Sequence, residues 1–160
     1  MGNQMRVVLN GQDAVLDAAA EDTLLEVLRR QQLHGCRESC GQGVCGTCTV
    51  LVDGHSVTSC LLLAQLVDGS DIVTIEGLGQ PGHLNVVQEA FVREAAFQCG
   101  FCTPGMIVSA TELLRENADP TEREIAEHLS GNLCRCGAYP EILRAVRLAA
   151  TMLQDGDGSL

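Results

Sequence analysis

The apolar positions change period near residue 76. Before it they fall in short runs, mostly of strand character, with one helical stretch among them. The runs at 6–9 and 14–16 predict two strands joined at Asn10-Gly11, a turn pair that tolerates positive φ. Thr23 and Glu26 then form a capping box ahead of Leu24, Leu25, Val27 and Leu28, so a helix starts there and ends near Gln32. Residues 49–52 and 56–60 predict a second hairpin about Asp53-Gly54, and 72–75 a last strand. Hairpin, helix, hairpin and strand make a compact α+β unit.

The stretch 76–82 carries Gly77, Gly79, Pro81 and Gly82 and reads as a linker. Beyond it the period is helical. Val87, Ala90, Phe91 and Ala95 share a face of a helix starting near Asn85. Pro104 suits the first turn of the next, which carries Ile107, Ala110, Leu113 and Leu114. Asp119-Pro120 breaks the chain, and Thr121 with Glu124 caps a short helix to about Leu129. Pro140 opens the last, with Ile142, Leu143, Val146, Ala149, Ala150 and Leu153 inward; 154–160 reads as a frayed tail. Four helices on short loops predict a small bundle. The expected division is 1–77 and 78–160.

The stretch 33–48 has neither period. It is rich in glycine and cysteine, and Cys40, Cys45 and Cys48 space as C-x4-C-x2-C, with Cys60 across the following hairpin. That is the opening spacing of a plant-type ferredoxin loop, whose thiolates hold a 2Fe-2S cluster. A structural zinc site and plain buried thiols are the bland rivals, but zinc knuckles pair two short gaps across a longer run. A second set, Cys99, Cys102, Cys134 and Cys136, lies just before two predicted helix starts, where helix N-termini favour thiolate. Its spacing alone leaves zinc and iron–sulfur equally open. Gly41, Gly43 and Gly46 match the dinucleotide fingerprint, yet no strand precedes them and no helix follows, so they belong to the cysteine loop. Cys36 is the odd cysteine and reads as a small buried residue in preference to a reactive thiol. His34, His55, His83 and His128 are scattered, which excludes paired Rieske ligation and leaves surface or capping roles.

Charge narrows the partners. The net charge is −11, all ten basic residues are Arg, and no basic run occurs, which argues against nucleic acid. The N-terminus has no apolar signal core, Arg29-Arg30 sits in an amphipathic stretch, and no segment is apolar enough to span a membrane. A cytoplasmic setting follows as the expectation, where closely spaced cysteines are metal ligands more often than disulfides. No nucleophile–base set is visible. Such a chain moves electrons between donor and acceptor supplied from outside.

Three stretches carry a resemblance: 35–50 (Gly35 to Val50, around Cys40, Cys45 and Cys48), 98–106 (Gln98 to Met106, around Cys99 and Cys102) and 131–136 (Gly131 to Cys136). In order and nearly end to end, the chain resembles the iron–sulfur subunit of the xanthine dehydrogenase and aldehyde oxidoreductase family of molybdenum hydroxylases. Small subunits of carbon monoxide dehydrogenase, of isoquinoline and quinoline oxidoreductases and of nicotinate and nicotine dehydrogenases belong to it. The resemblance implies an α+β chain: a β-grasp, plant-type ferredoxin-like domain, then a four-helix-bundle 2Fe-2S domain. It implies two 2Fe-2S clusters, one on Cys40, Cys45, Cys48 and Cys60, the other on Cys99, Cys102, Cys134 and Cys136. It places Gln98 and Cys136 beside the molybdopterin of a large partner subunit, and the first cluster toward the FAD of a medium subunit. After its last cysteine this chain reads Gly137-Ala138-Tyr139 where many members have Thr-Gly-Tyr, a form closer to the aldehyde and N-heterocycle branches than to carbon monoxide dehydrogenase. The alternatives are that dehydrogenase's small subunit, a free-standing two-cluster carrier and a zinc-stabilised interaction module.

Overall fold

The computed structural model describes residues 3–160; the first two residues, part of the N-terminus read for a signal core, lie outside them. Asn10 (φ 51°) and Gly11 (φ 76°) make the expected tight turn between β1 (Asn3–Leu9) and β2 (Gln12–Ala18). Both strands outrun their apolar cores because backbone pairing carries on through polar residues such as Gln4 and Asp17. Asp53 (φ 50°) and Gly54 (φ 87°) turn β3 (Thr49–Val52) into β4 (His55–Thr58). The last strand, β5 (Asp71–Val73), ends earlier than expected and lies parallel to β1 and antiparallel to β3. The sheet order is β2-β1-β5-β3-β4. Helix α1 (Leu24–Arg30), with its capping box intact, closes a core of Met5, Leu24, Leu28, Val50 and Ile72.

The sheet is covered on both faces. Val50 points into the α1 core, whereas its neighbour Leu51 joins a second core built by helices. That core gathers α3 (Val86–Arg93), α4 (Thr103–Glu116), α5 (Glu122–His128) and α6 (Tyr139–Asp155). Helix α4 lies against β3. Its buried Glu112 accepts the Ser56 N–H at 2.9 Å and the Ser56 hydroxyl, stitching β4 to the helix.

Three expectations need correction. The stretch 76–82 is not a slack linker: α2 (Ile75–Leu78) forms there, Leu78 is buried in the helical core, and Gln88 Nε2 donates to the Ile75 carbonyl at 3.3 Å. Ala95 does not extend the apolar face of α3. It takes φ 48° as the left-handed residue of a Schellman turn, with the Ala96 N–H on Phe91 O at 3.0 Å, so Ala96 is the buried residue. The tail is not frayed, because Gly156 (φ 76°) turns the chain back and Ser159 O accepts the Val86 N–H at 3.1 Å.

Short α5 depends on its cap. Thr121 Oγ1 takes the Glu124 N–H at 3.3 Å, and the Glu124 carboxylate takes the Thr121 N–H at 2.7 Å. Thr121→Ala should cost about 1 kcal/mol, with Thr121→Ser close to wild type, read from denaturant midpoints.

Candidate metal centres

The first centre is built by the loop between α1 and β3. Gly41, Gly43 and Gly46 have φ of 61°, 70° and 66°, so the chain turns repeatedly and points N–H groups at its own sulfur. The Gln42 N–H reaches Cys40 Sγ at 3.4 Å. With the N–H groups of Val44 and Cys45 it brings the Cys40 thiol down to about 6. Cys45 packs against Cys40, and Cys48 against Cys60. Burial pushes Cys48 up to about 11.

Cys36 stands behind this loop. Its Sγ donates to the Cys48 carbonyl at 3.3 Å, alongside the Ser59 hydroxyl at 2.7 Å. It is 2% exposed, and burial pushes its thiol up to about 12, so it is the small buried residue expected. Cys36 should therefore resist iodoacetamide at pH 8 in the folded chain and react only after denaturation, as peptide mass mapping would show.

The second centre joins two loops. Cys99 and Cys102 flank a turn made by Gly100 (φ 74°); Cys134 and Cys136 precede Gly137 (φ 79°). The Sγ atoms of Cys99 and Cys136 stand 3.5 Å apart, and Cys102 adjoins Cys134. The Phe101 N–H, then Cys136, lowers the Cys99 thiol. Burial would raise Cys134, but the N–H of Ala138 and those of Cys136 and Gly137 hold it below the usual thiol range. Cys102 has no such set of donors, and burial pushes it up to about 12. The Cys134 N–H itself donates to Tyr139 Oη at 2.9 Å.

A cavity of about 470 Å³ runs between the centres, lined by Cys99, Cys102 and Cys134 from one and Cys45 and Thr47 from the other. Thiols gathered in contiguous pairs, glycine turns and N–H groups aimed at sulfur fit iron–sulfur clusters at both places. Gln98 is exposed and precedes Cys99, so it lies near Cys136.

The residue that locks the loops together, Asn132, lies inside the 131–136 stretch but is not singled out there. Asn132 is 6% exposed; its Nδ2 donates to Gly46 O at 3.0 Å and Thr49 Oγ1 at 3.3 Å, and its Oδ1 accepts from Ser109 Oγ at 2.9 Å. A Cβ at Gly46 would meet Gly131 O and Asn132, and one at Gly105 would meet Gly46 O, so glycine permits this approach. His128 Nε2 lies 3.1 Å from Ser109 O at the end of α5, while His34, His55 and His83 are exposed; none joins either quartet.

Two domains, each with cysteine thiols gathered in pairs on glycine-rich loops, define a two-cluster iron–sulfur protein. Residues 7–72 match the family of 2Fe-2S iron-sulfur cluster binding domains, and residues 74–147 match the 2Fe-2S binding domain family. The nicotine 6-hydroxylase small subunit of Paenarthrobacter nicotinovorans is 47% identical over 97% of this chain and 94% of its own. A chain of quinoline 2-oxidoreductase from Pseudomonas putida 86 superposes with a TM-score of 0.91 at 40% identity, over 97% of this chain and 98% of that one. Aldehyde oxidoreductase from Desulfovibrio gigas gives a TM-score of 0.92 at 41% identity, with 96% of this chain covering 17% of that longer one. The chain belongs to the iron–sulfur subunits of the xanthine dehydrogenase and aldehyde oxidoreductase family. It is an iron–sulfur subunit of an oxidoreductase complex, and its role is electron transfer.

Proposed function

We propose that Cys40, Cys45, Cys48 and Cys60 hold the first 2Fe-2S cluster and Cys99, Cys102, Cys134 and Cys136 the second. When bound, the clusters supply one-electron transfer between a molybdopterin-cofactor subunit and an FAD subunit. Gln98 and Cys136 face the molybdopterin side, and the loop around Cys40 faces the flavin side. The holoenzyme oxidises an N-heterocycle or an aldehyde in the cytoplasm, a substrate class consistent with the names of the nicotine, quinoline and aldehyde relatives. No helix among the described residues is long and apolar enough to cross a membrane. The chain divides into units 1–77 and 78–160; one hydrophobic core lies wholly within the first, and the other is built mainly by the second, with Leu51 added from the first.

The observation that carries the reading is exposed apolar surface around each centre. Phe97, Phe101, Leu133 and Tyr139 rim the second, each more than 40% exposed. Val44 and Leu61, both 59% exposed, rim the first. In an acidic chain such surfaces are covered by partners. Once covered, they exclude water from the thiolates and help set the cluster potentials.

Gentle purification of the tagged chain from its own host tests this. Large molybdenum-containing and medium flavin-containing chains should accompany it in equal amounts, with iron and sulfide in the eluate. A brown chain eluting alone would favour the free carrier, and a colourless zinc-bound one the interaction module.

A further inference from the structure

We propose that Arg37, a residue of the first cluster's loop, sets the reduction potential of the second cluster; this rests on the ligand assignment above. Arg37 is fixed at its backbone. Its N–H donates to Thr47 O at 3.2 Å, and Thr47 Oγ1 donates to Arg37 O at 2.9 Å, so it is held against the segment between Cys45 and Cys48. Its side chain crosses to the other domain. Nη1 donates to Gly100 O at 2.9 Å, and the guanidinium carbon lies 5.3 Å from the centre of the Phe101 ring, over its face.

The peptide it grips is the one that matters. Gly100 C=O and Phe101 N–H belong to a single peptide group, which lies in the turn between Cys99 and Cys102. A cation on the carbonyl polarises the peptide and makes its N–H, beside Cys99, a stronger donor toward cluster sulfur. Hydrogen bonds to cluster sulfurs and nearby positive charge both stabilise the reduced, more negative state, which raises the potential. Among the described residues no carboxylate pairs with Arg37, so its charge is not cancelled locally. Arg135, in the second loop itself, is exposed, and solvent screens it. Arg37 is half-buried.

The test is a redox titration of the purified holoenzyme followed by electron paramagnetic resonance. The signal perturbed by Cys136→Ser marks the second cluster. Arg37→Met should lower that cluster's midpoint, shifting its electron equilibrium about tenfold, or ~59 mV for one electron. The first cluster should not move. Arg37→Gln, which keeps a donor without the charge, should give a smaller fall, and Arg37→Lys should stay nearest wild type. If Arg37→Met fails to load iron, Arg37→Gln against Arg37→Lys decides the matter. An unmoved second midpoint, or equal movement of both, overturns the role of Arg37. A wild-type enzyme without two separate 2Fe-2S signals overturns the ligand assignment instead.

Discussion

Cys45→Ser and Cys102→Ser should each abolish electron delivery to the acceptor while leaving the chain folded. Serine has the shape of cysteine, but its hydroxyl stays protonated where a thiol ionises, and it is a hard ligand where a cluster iron takes thiolate. Losing the outer partners of a metal ligand already costs roughly 10–100-fold in affinity or activity. Losing a ligand should exceed that. Cys45 is the sharper case because its backbone also matters: its carbonyl accepts the Leu133 N–H at 2.9 Å, beside Cys134. Serine keeps that contact and removes only the sulfur. Each variant should retain about half the wild-type iron and sulfide, since one quartet of two survives. Cys36→Ser is the control. That side chain hydrogen-bonds the Cys48 carbonyl and meets the Ser59 hydroxyl at 3.1 Å, and it is not one of the eight proposed ligands, so iron content and turnover should persist. Turnover retained by Cys45→Ser or Cys102→Ser would sink the ligand assignment.

The cysteine loops were legible because cysteine spacing and glycine turns are local. Gly41, Gly43 and Gly46 all adopt the left-handed backbone that the Gly-rich loop implies. Strand and helix identities were legible for the same reason: turn pairs at Asn10-Gly11 and Asp53-Gly54, and capping boxes at Thr23 and Thr121, act within four residues. What escaped was tertiary. No local rule turns Ala95 left-handed; that depends on α3 ending as the chain bends toward Cys99. Nothing in 154–160 announces that Ser159 will meet Val86. The packing of α2 follows from Leu78 finding the helical core, a contact invisible among its flanking glycines. The least legible residues were Arg37 and Asn132. Each lies within a recognised motif, yet its partners belong to another loop, 63 residues away for Gly100 and 86 for Gly46.

Asn132→Leu should destabilise the chain by about 3 kcal/mol, among the largest effects of any residue that is not a ligand. The buried Ser109 hydroxyl loses its acceptor, and an orphaned buried polar group costs roughly 1–3 kcal/mol. The two bonds from Nδ2 go as well, at about 1 kcal/mol each. Gly46 O keeps the Thr49 N–H at 3.2 Å and the Thr49 hydroxyl at 2.7 Å, which limits the loss at that end. Asn132→Asp separates shape from hydrogen bonding. Aspartate fits the space and still accepts from Ser109, but it sets an acceptor oxygen against the Gly46 carbonyl, so it should fare no better than leucine. A double-mutant cycle with Ser109→Ala completes the argument: once Asn132 is leucine, removing the stranded hydroxyl should cost less than in wild type, with coupling of about 1 kcal/mol. Denaturant midpoints of the holoprotein, read from cluster absorbance, measure all three. Additive losses would mean that Asn132 and Ser109 act independently, and wild-type stability in Asn132→Asp would mean that shape, rather than the carboxamide's donors, joins the two loops.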